Sequence, residues 1–248
     1  MRNIDVHNKE IQENLKAWMR KPVLREIYKS FHQIIAGHLS NPTLGSVVEL
    51  GSGVADITEV IPNCVRTDLF PNPWIDHVEN AYDLSFSNES ISSLILFDVF
   101  HHLRYPGTAL REFHRVLAKH GRVILFEPSI SLLGLIVYGL LHKEPIGLGK
   151  KIQWEAPVNW NSADIDYYAA QGNATTIFVT GKNNIQCIGW NLITVERLCS
   201  ISYVASGGYS KPQMYPGGAL PLMQKLDKLL GAFPSLFATR LIVVLEKS

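Results

Sequence analysis

The stretch VVELGSGVAD, residues 47–56, joins an apolar, β-branched run to two closely spaced glycines. The run predicts a buried parallel strand over residues 46–50. Gly51 and Gly53 let the chain turn tightly after that strand and let a ligand approach without meeting a Cβ atom. A dinucleotide-binding loop carries a third glycine where Asp56 stands. The stretch therefore predicts a ligand site between a strand and a helix, and it disfavours NAD as the ligand.

The chain on either side of this turn alternates between strand-like and helical patterns. Further strands are predicted at 64–69, 92–100, 122–129 and 240–247, and the segment 191–205 also has a strand-like pattern. Helices are predicted at 8–20, 22–35, 54–61, 107–121, 131–142 and 217–233, the fourth of them ending at Gly121. The connection between the second and third strands is rich in turn residues, so its crossover helix is expected to be short or missing. This alternation predicts an α/β fold with a right-handed, mostly parallel sheet.

The composition fits one domain with a sizeable core. Of the 248 residues, 46% are hydrophobic and only 18% are charged, which disfavours disorder. The net charge is +1 and no basic stripe occurs, which disfavours a nucleic-acid partner. The N-terminus lacks the apolar core of a signal peptide, and the apolar stretch 131–141 is shorter than the roughly 20 residues that span a bilayer. We therefore expect a cytoplasmic protein.

The cysteines and histidines give no metal-binding signature. The three cysteines, Cys64, Cys187 and Cys199, are odd in number and lack CxxC spacing, which argues against a disulfide framework and a zinc site. No HxxxH pair occurs either. The sequence therefore predicts no metal site.

Two acidic residues near the glycine turn indicate the chemistry of its ligand. Asp68 closes the second predicted strand, where a carboxylate can accept hydrogen bonds from both hydroxyls of a ribose. Glu49 adds negative charge just before the turn, which is unfavourable for a pyrophosphate but favourable for a cation. A positively charged nucleoside without phosphates, such as S-adenosylmethionine, fits both features.

The stretch VVELGSGVADI resembles the first motif of class I S-adenosylmethionine-dependent methyltransferases. The segments RTDL, AYDLSFSNESISSLILFDVFHHL, REFHRVLAKHG and RVILFEPS then follow in the order and spacing of that family, over residues 45–130. Ala55 replaces the third glycine of the family motif, and Asn80 stands where the family often has an aspartate. The sequence Lys119–His120–Gly121 replaces a Pro-Gly-Gly turn. The resemblance implies a Rossmann-like methyltransferase fold, with helices on both faces of the sheet and an antiparallel closing strand.

The resemblance also implies how the chain is divided. Residues 1–248 are expected to form a single methyltransferase domain. Its parts are N-terminal helices (1–40), a cofactor-binding core (45–130), a cap insertion (131–190) and C-terminal strands and helix that complete the sheet (191–248).

Carried over residue by residue, the resemblance implies a set of contacts to S-adenosylmethionine. Asp68 takes the ribose hydroxyls, Leu69 packs on the adenine, and Asn80 accepts a hydrogen bond from the adenine amino group through its carbonyl oxygen. The glycine turn and the residues after the third strand approach the methionine portion, with Glu49 near its ammonium group. The full set is Glu49, Gly51, Ser52, Gly53, Asp68, Leu69, Asn80, Ala81, Tyr82, Asp98 and Val99.

The candidate catalytic residues are His101 and His102. They follow a strand at its C-terminal end, where α/β sites lie, and imidazole suits general base catalysis near neutral pH. Adjacent side chains point in different directions, so at most one of them is expected to face the acceptor. Glu127 is a second candidate near the acceptor, although it can equally be structural, and His142 and Glu144 can line the acceptor side.

The cap is where the methyl acceptor would bind. It combines the apolar stretch 131–141 with four aromatic residues that can stack on a sugar, namely Trp154, Trp160, Tyr167 and Tyr168. The apolar stretch can instead pack on the sheet or contact a lipid or a membrane surface. The segment from Glu127 to Pro145 also resembles uncharacterised methyltransferases that are associated with bacterial cell-surface polysaccharide genes. This favours O-methylation of a small molecule, glycan or glycolipid.

Three other functions compete with this hypothesis. A catalytically silent binding protein of the same fold is disfavoured because Gly51, Gly53 and Asp68 are intact. A NAD-dependent oxidoreductase is disfavoured by Asp56 and Glu49, and an RNA methyltransferase by the balanced charge. The oligomeric state cannot be read from the sequence.

Overall fold

The structure is a computed structural model that describes residues 2–163, 167–181 and 189–248, with side chains from residue 9 onward. Cys187 lies outside the described residues. The centre of the molecule is a seven-stranded sheet in the order β3-β2-β1-β4-β5-β7-β6. The strands are β1 (Ser46–Leu50), β2 (Cys64–Asp68), β3 (His77–Val78), β4 (Ile91–Phe97), β5 (Leu117–Pro128), β6 (Trp190–Cys199) and β7 (Ala238–Lys247).

The direction of each strand confirms the α/β prediction. Strands β1 to β5 pair in parallel with one another, whereas β7 runs antiparallel to both of its neighbours, β5 and β6. The α-helices are α1 (Arg2–Arg20), α2 (Pro22–Ala36), α3 (Pro106–Val116), α4 (Leu132–Ile136), α5 (Ile201–Ser206), α6 (Leu220–Leu230) and α7 (Pro234–Phe237). Helix α4 continues into a π-helical turn, Val137–Leu141, and a second π-helical turn is Thr175–Val179.

The helices cover both faces of the sheet. Successive side chains of a strand point to opposite faces, so neighbouring positions of one strand contribute to two cores. On β4, Ile95 packs in the core that includes α2, whereas Leu94 and Leu96 pack in the core that includes α3. All seven residues of β4 are buried, which explains why residues 94–97 are all apolar instead of alternating with polar residues.

Several predicted boundaries were wrong. The helix predicted over 107–121 ends at Val116, and Gly121 lies inside β5. Buried Leu117 pairs with Ile91 of β4, so sheet pairing begins where the amphipathic pattern still suggests a helix. The segment 191–205 is a strand only to Cys199, after which α5 begins.

The turn after β1 also differs from the prediction. The helix predicted over 54–61 is reduced to a 3₁₀ turn, Ile57–Glu59. The Asp56 carboxylate caps this turn by accepting a hydrogen bond from the backbone N–H of Thr58 at 3.0 Å. As expected, the described connection from β2 to β4 contains no helix, and its one regular element is the two-residue strand β3. Among the described residues, no helix is both long and apolar enough to cross a membrane.

Candidate active site

The predicted functional residues gather at one edge of the sheet, at the carboxyl ends of its parallel strands. Strand β1 ends at Leu50, before Gly51, and β2 ends at Asp68. Strand β4 ends just before Asp98, and Glu127 lies near the end of β5. Ligands of open α/β sheets bind at this edge.

The glycine loop is held in a conformation that side chains disfavour. Gly51 and Gly53 have φ values of +71° and +56°, in the left-handed region. A Cβ atom on Gly51 would lie 2.4 Å from Cγ2 of Val99, whereas one on Gly53 would meet nothing within 4 Å. Between them, the N–H of Ser52 donates to the carbonyl of Thr67 at 2.9 Å. The loop is therefore fixed against β2 and Val99 and leaves open space at Gly53.

Two buried polar atoms beside the loop make no hydrogen bond of normal geometry to another described group, although the Ser52 hydroxyl lies close enough to Glu49 to oppose the rise of its pKa. These atoms are Oε2 of Glu49 and Oγ of Ser52, and both residues are less than a tenth exposed. Leaving such a group unpaired costs roughly 1–3 kcal/mol. Burial raises the pKa of Glu49 to about 7. A ligand with polar groups and positive charge would satisfy both side chains and favour the ionised carboxylate.

Asp68 is buried at the end of β2, and Leu69 follows it at the surface. The Asp68 carboxylate accepts a hydrogen bond from the N–H of Phe70 at 3.4 Å. The indole N–H of Trp74 donates to the carbonyl of Gly53, so this ring bridges the glycine loop and the segment after β2. Sequence reasoning missed Trp74, although it is the one tryptophan in a turn-rich connection.

Asn80 has a more structural environment than the sequence suggested. Its side-chain oxygen accepts a hydrogen bond from the N–H of Tyr82 at 3.0 Å, and its amide nitrogen donates to the carbonyl of Ser162 at 2.9 Å. The Tyr82 ring packs against Trp160, with centroids 4.9 Å apart, and Ala81 packs on the core. One lone pair of the Asn80 oxygen is therefore used within the protein.

Asp98 pairs with a buried arginine that the sequence did not reveal. It adopts a φ of 56°, and its carboxylate lies 2.5 Å from Nη1 of Arg240. Arg240 is on β7 and lies over four aromatic rings at 4.5–5.8 Å, those of Phe31, Phe97, Phe126 and Tyr203. Burial opposes ionisation of Arg240, but the Asp98 charge outweighs it and raises the pKa. The sequence shows Arg240 only as the start of an apolar strand.

The Glu127 carboxylate holds the turn that follows β4. One of its oxygens accepts hydrogen bonds from the N–H groups of Val99 and Phe100, at 2.9 and 2.7 Å. The other lies 2.7 Å from Nδ1 of His101. Glu127 is fully buried, so it is placed to position this turn rather than to meet an acceptor.

His101 and His102 lie in different environments. Burial opposes protonation of His101, but the charge of Glu127 outweighs it and raises the pKa to about 10. His102 is a third exposed at its side chain, and burial, followed by the His101 charge, lowers its pKa to about 4. Nδ1 of His102 donates to the carbonyl of Tyr168 at 2.9 Å. Neutral His102 therefore has a lone pair on Nε2.

Comparison with known proteins identifies the domain. Residues 48–125 match the family model described as "Methyltransferase domain", and they contain the glycine loop, Asp68 and the His101–His102 pair. The chain carries a class I S-adenosylmethionine-dependent methyltransferase domain. No curated protein matches the chain in sequence.

Solved structures share the fold of this methyltransferase domain. One is a possible histamine N-methyltransferase from Thermotoga maritima, at 13% identity and a TM-score of 0.56, over 96% of this chain and 99% of that one. Another is a methyltransferase from Archaeoglobus fulgidus, at 12% identity and a TM-score of 0.54, over 90% and 94%. A third is geranyl diphosphate C-methyltransferase from Streptomyces coelicolor, at 11% identity and a TM-score of 0.53, over 90% and 80%.

The cofactor of the methyltransferase domain is S-adenosylmethionine. The unpaired atoms of Glu49 and Ser52 and the open space at Gly53 fit its charged methionine portion. The structure brings Glu49, the glycine loop, Asp68 and Val99 to one edge. It ties the side chains of Asn80 and Asp98 to other protein groups.

Glu144, in the segment predicted as the cap, lies beside both histidines. Its carboxylate lies 3.5 Å from Nε2 of His101 and 3.8 Å from Nε2 of His102. It accepts hydrogen bonds from Tyr167, at 2.5 Å, and from the amide of Gln171. Burial opposes ionisation of Glu144, but the hydrogen bond to His101 outweighs it and lowers the pKa. Sequence reasoning missed Gln171, which is buried 70 positions from His101.

The cap aromatics differ in their roles. Trp160 packs on Tyr82 and Tyr105, and Trp154 lies against Gly107 at the start of α3. These two indoles attach the cap to the domain. Tyr167 is two-thirds exposed beside His102.

Proposed function

We propose that this protein transfers the methyl group of S-adenosylmethionine to a hydroxyl of a small-molecule, glycan or glycolipid acceptor. The observation that carries this proposal is the turn after β4. Glu127 fixes this turn through the backbone N–H groups of Val99 and Phe100 and the ring of His101. Val99 in this turn contacts the glycine loop, and His101 and His102 follow directly. One rigid turn thus joins the cofactor side of the site to the acceptor side.

On the cofactor side, the chain's own groups bind and orient. Glu49 and Ser52 would meet the polar groups of the methionine portion, and Asp68 would accept hydrogen bonds from the ribose hydroxyls. Leu69 would pack on the adenine. When bound, S-adenosylmethionine supplies a methyl group on a positively charged sulfur, so the protein mainly needs to align it with the acceptor.

On the acceptor side, His101, His102 and Glu144 form the acceptor-side cluster. A hydroxyl that attacks the methyl carbon must lose its proton, and this cluster concentrates imidazole and carboxylate groups at the end of β4. Of its two histidines, His102 is the more accessible and has the lone pair on Nε2. Tyr167 lies at its outer side, where an acceptor ring or sugar can contact it.

An exposed apolar face leads into this cluster and favours a lipid-linked acceptor. Large apolar side chains on α4, its π-helical turn and the adjacent α7 lie at the surface instead of packing on the sheet. They are Leu132, Leu135, Ile136, Leu140, Leu141 and Leu236, between 40% and 78% exposed. The chain passes from this face to Glu144 within three residues. Such a face fits the interface of a membrane or the lipid of a glycolipid.

The proposal is tested with S-adenosylmethionine labelled in its methyl group and a panel of glycans, glycolipids and amines. We expect label in a saccharide-containing product that survives alkaline hydrolysis, as a methyl ether does and a methyl ester does not. Transfer to an amine would overturn the oxygen assignment. Binding of S-adenosylhomocysteine with no transfer to any hydroxyl would support the catalytically silent alternative.

A further inference from the structure

The acceptor-side cluster has the ligand set of a metal site. Ligand atoms of His101, His102 and Glu144 all lie within 4.8 Å of one another. The carboxylate oxygens of Glu144 lie 3.5 and 3.8 Å from the two Nε2 atoms. Around a tetrahedral zinc ion with bonds of about 2.0–2.1 Å, ligand atoms lie roughly 3.3–3.5 Å apart. Small side-chain movements would therefore bring all three groups to one ion.

The outer contacts of both histidines also match a metal site. Histidines that bind a metal through one ring nitrogen almost always donate the other N–H to a carboxylate or a backbone carbonyl. Here Nδ1 of His101 pairs with Glu127, and Nδ1 of His102 pairs with the carbonyl of Tyr168. Two separate elements, β5 and the cap, thus orient both Nε2 atoms toward the same carboxylate.

We propose that His101, His102 and Glu144 bind one divalent transition-metal ion, such as Zn²⁺, and leave coordination positions open toward the acceptor. Two imidazoles and one carboxylate are a ligand set for such ions. The sequence predicted no metal site because it offered neither CxxC nor HxxxH spacing. Adjacent histidines and a glutamate 42 positions further on (144 − 102) carry no such local signature.

The chemical role of the ion rests on the proposed function. A hydroxyl bound to a divalent cation loses its proton more readily, as bound water does when its pKa falls to about 7. The Nε2 lone pair of His102 would be bound to the ion, so the proton would leave to solvent instead of to this ring. The acceptor oxygen would then bond to the methyl carbon of S-adenosylmethionine, and the carbon–sulfur bond would break with its electron pair on sulfur.

A metal-free hydrogen-bond network is the competing arrangement. The amide nitrogen of Gln171 lies 3.2 Å from Nε2 of His101 and also donates to Glu144. It fills the space between the same two groups. An ion bound to both would displace this amide, so the two arrangements are exclusive.

The test uses the purified full chain after treatment with a chelator and dialysis. Zn²⁺ is titrated by calorimetry, and Co²⁺ by visible absorption, which reports the coordination geometry. We expect one ion per chain. Variants His102→Ala and Glu144→Gln each remove one ligand, so their affinity should fall by more than the 10- to 100-fold typical of outer contacts. His120→Ala, at a histidine whose side chain is 62% exposed, should leave the affinity unchanged.

Binding of S-adenosylhomocysteine is measured in the same samples, which separates this inference from the proposed function. If the wild type binds S-adenosylhomocysteine but no stoichiometric metal, the metal site is wrong and the methyltransferase proposal stands. Equal metal affinity in the wild type and both ligand variants would also overturn the site. Metal binding without S-adenosylhomocysteine binding would retain the site and overturn the proposed function.

Discussion

At the scale of one side chain, Asp68 tests the assignment of the cofactor side. In Asp68→Ala the ribose hydroxyls lose a charged acceptor, which is worth about 1.5–3 kcal/mol. We therefore expect the affinity for S-adenosylhomocysteine to fall about 10- to 150-fold, measured by calorimetry. Asp68→Asn keeps one acceptor oxygen and should lose less. NAD serves as the control ligand, and an unchanged affinity in Asp68→Ala would remove Asp68 from the cofactor site.

His102 tests the division between cofactor and acceptor sides. It lies in the acceptor-side cluster and is partly exposed, so His102→Ala should fold and should bind S-adenosylhomocysteine as the wild type does. Loss of a group that handles the acceptor proton typically costs at least about 100-fold in rate. We expect that loss in methyl transfer under single-turnover conditions. A parallel loss of S-adenosylhomocysteine affinity would contradict the division.

Glu49 gives a prediction about pH. Burial raises its pKa in the folded protein from 4.5 to about 7, so the unfolded chain releases this proton at lower pH than the folded one. Its contribution to stability is therefore lost as the pH rises from about 4.5 to 7, by at most about 3 kcal/mol. Glutamine does not titrate, so Glu49→Gln lacks this loss. The free energy of unfolding of the variant minus that of the wild type should therefore increase from pH 5 to pH 8, measured by urea denaturation.

The same residue links cofactor binding to protons. A cationic ligand favours the ionised carboxylate, so binding of S-adenosylhomocysteine near pH 6 should release a proton from wild-type Glu49. Calorimetry in buffers of different ionisation enthalpy measures this release. Glu49→Gln should show less of it. Equal proton release in both proteins would place the ligand's positive charge away from Glu49.

At the scale of an element, the glycine loop offers a matched pair of substitutions. Both Gly51 and Gly53 have positive φ, so alanine at either costs about 1–2 kcal/mol of backbone strain. Only at Gly51 does the added Cβ also press on Val99, a stiff β-branched side chain. We expect Gly51→Ala to be the less stable variant in thermal denaturation, with the weaker S-adenosylhomocysteine binding. Equal effects would mean that Val99 moves away without cost.

Elements were predictable from the sequence where one physical signal dominated. The β-branched run of β1 and the apolar run of β4 have no competing interpretation, and both strands were found. The end of α3 was predicted wrongly, because Leu117 fits the apolar spacing of a helix and also pairs with Ile91 of β4. The short turn after β1 was also missed, since the cap from Asp56 needs only three residues.

The sequence predicts candidate site residues most directly where they follow the end of a strand. The glycine loop, Asp68 and the histidine pair follow this rule. Arg240 and Glu144 reach the site from β7 and from the cap, so only the folded chain shows that they meet Asp98 and His102. The proposed metal ligands depend on the long-range contact of Glu144 with the two histidines, which the local spacing of residues in the sequence could not reveal.

At the scale of the whole molecule, the apolar face on α4, its π-helical turn and α7 ends three positions before Glu144 of the acceptor-side cluster. A soluble acceptor needs no such face, whereas a lipid-linked acceptor would bring a membrane surface to it. We expect the purified protein to sediment with phospholipid vesicles. Leu140 is 78% exposed on this face, so Leu140→Asp should weaken that binding by desolvating a charge at the interface, with little effect on folding.

A second exposed apolar residue provides the control for this prediction. Met19 is 69% exposed near the end of α1, outside the apolar face, so Met19→Asp should sediment with vesicles as the wild type does. Equal losses in the two variants would show that vesicle binding depends on net charge rather than on this face. Vesicle binding that fails in the wild type would favour a soluble acceptor. The proposed cofactor site lies at the glycine loop and not on this face, so the affinity for S-adenosylhomocysteine should be the same in all three proteins.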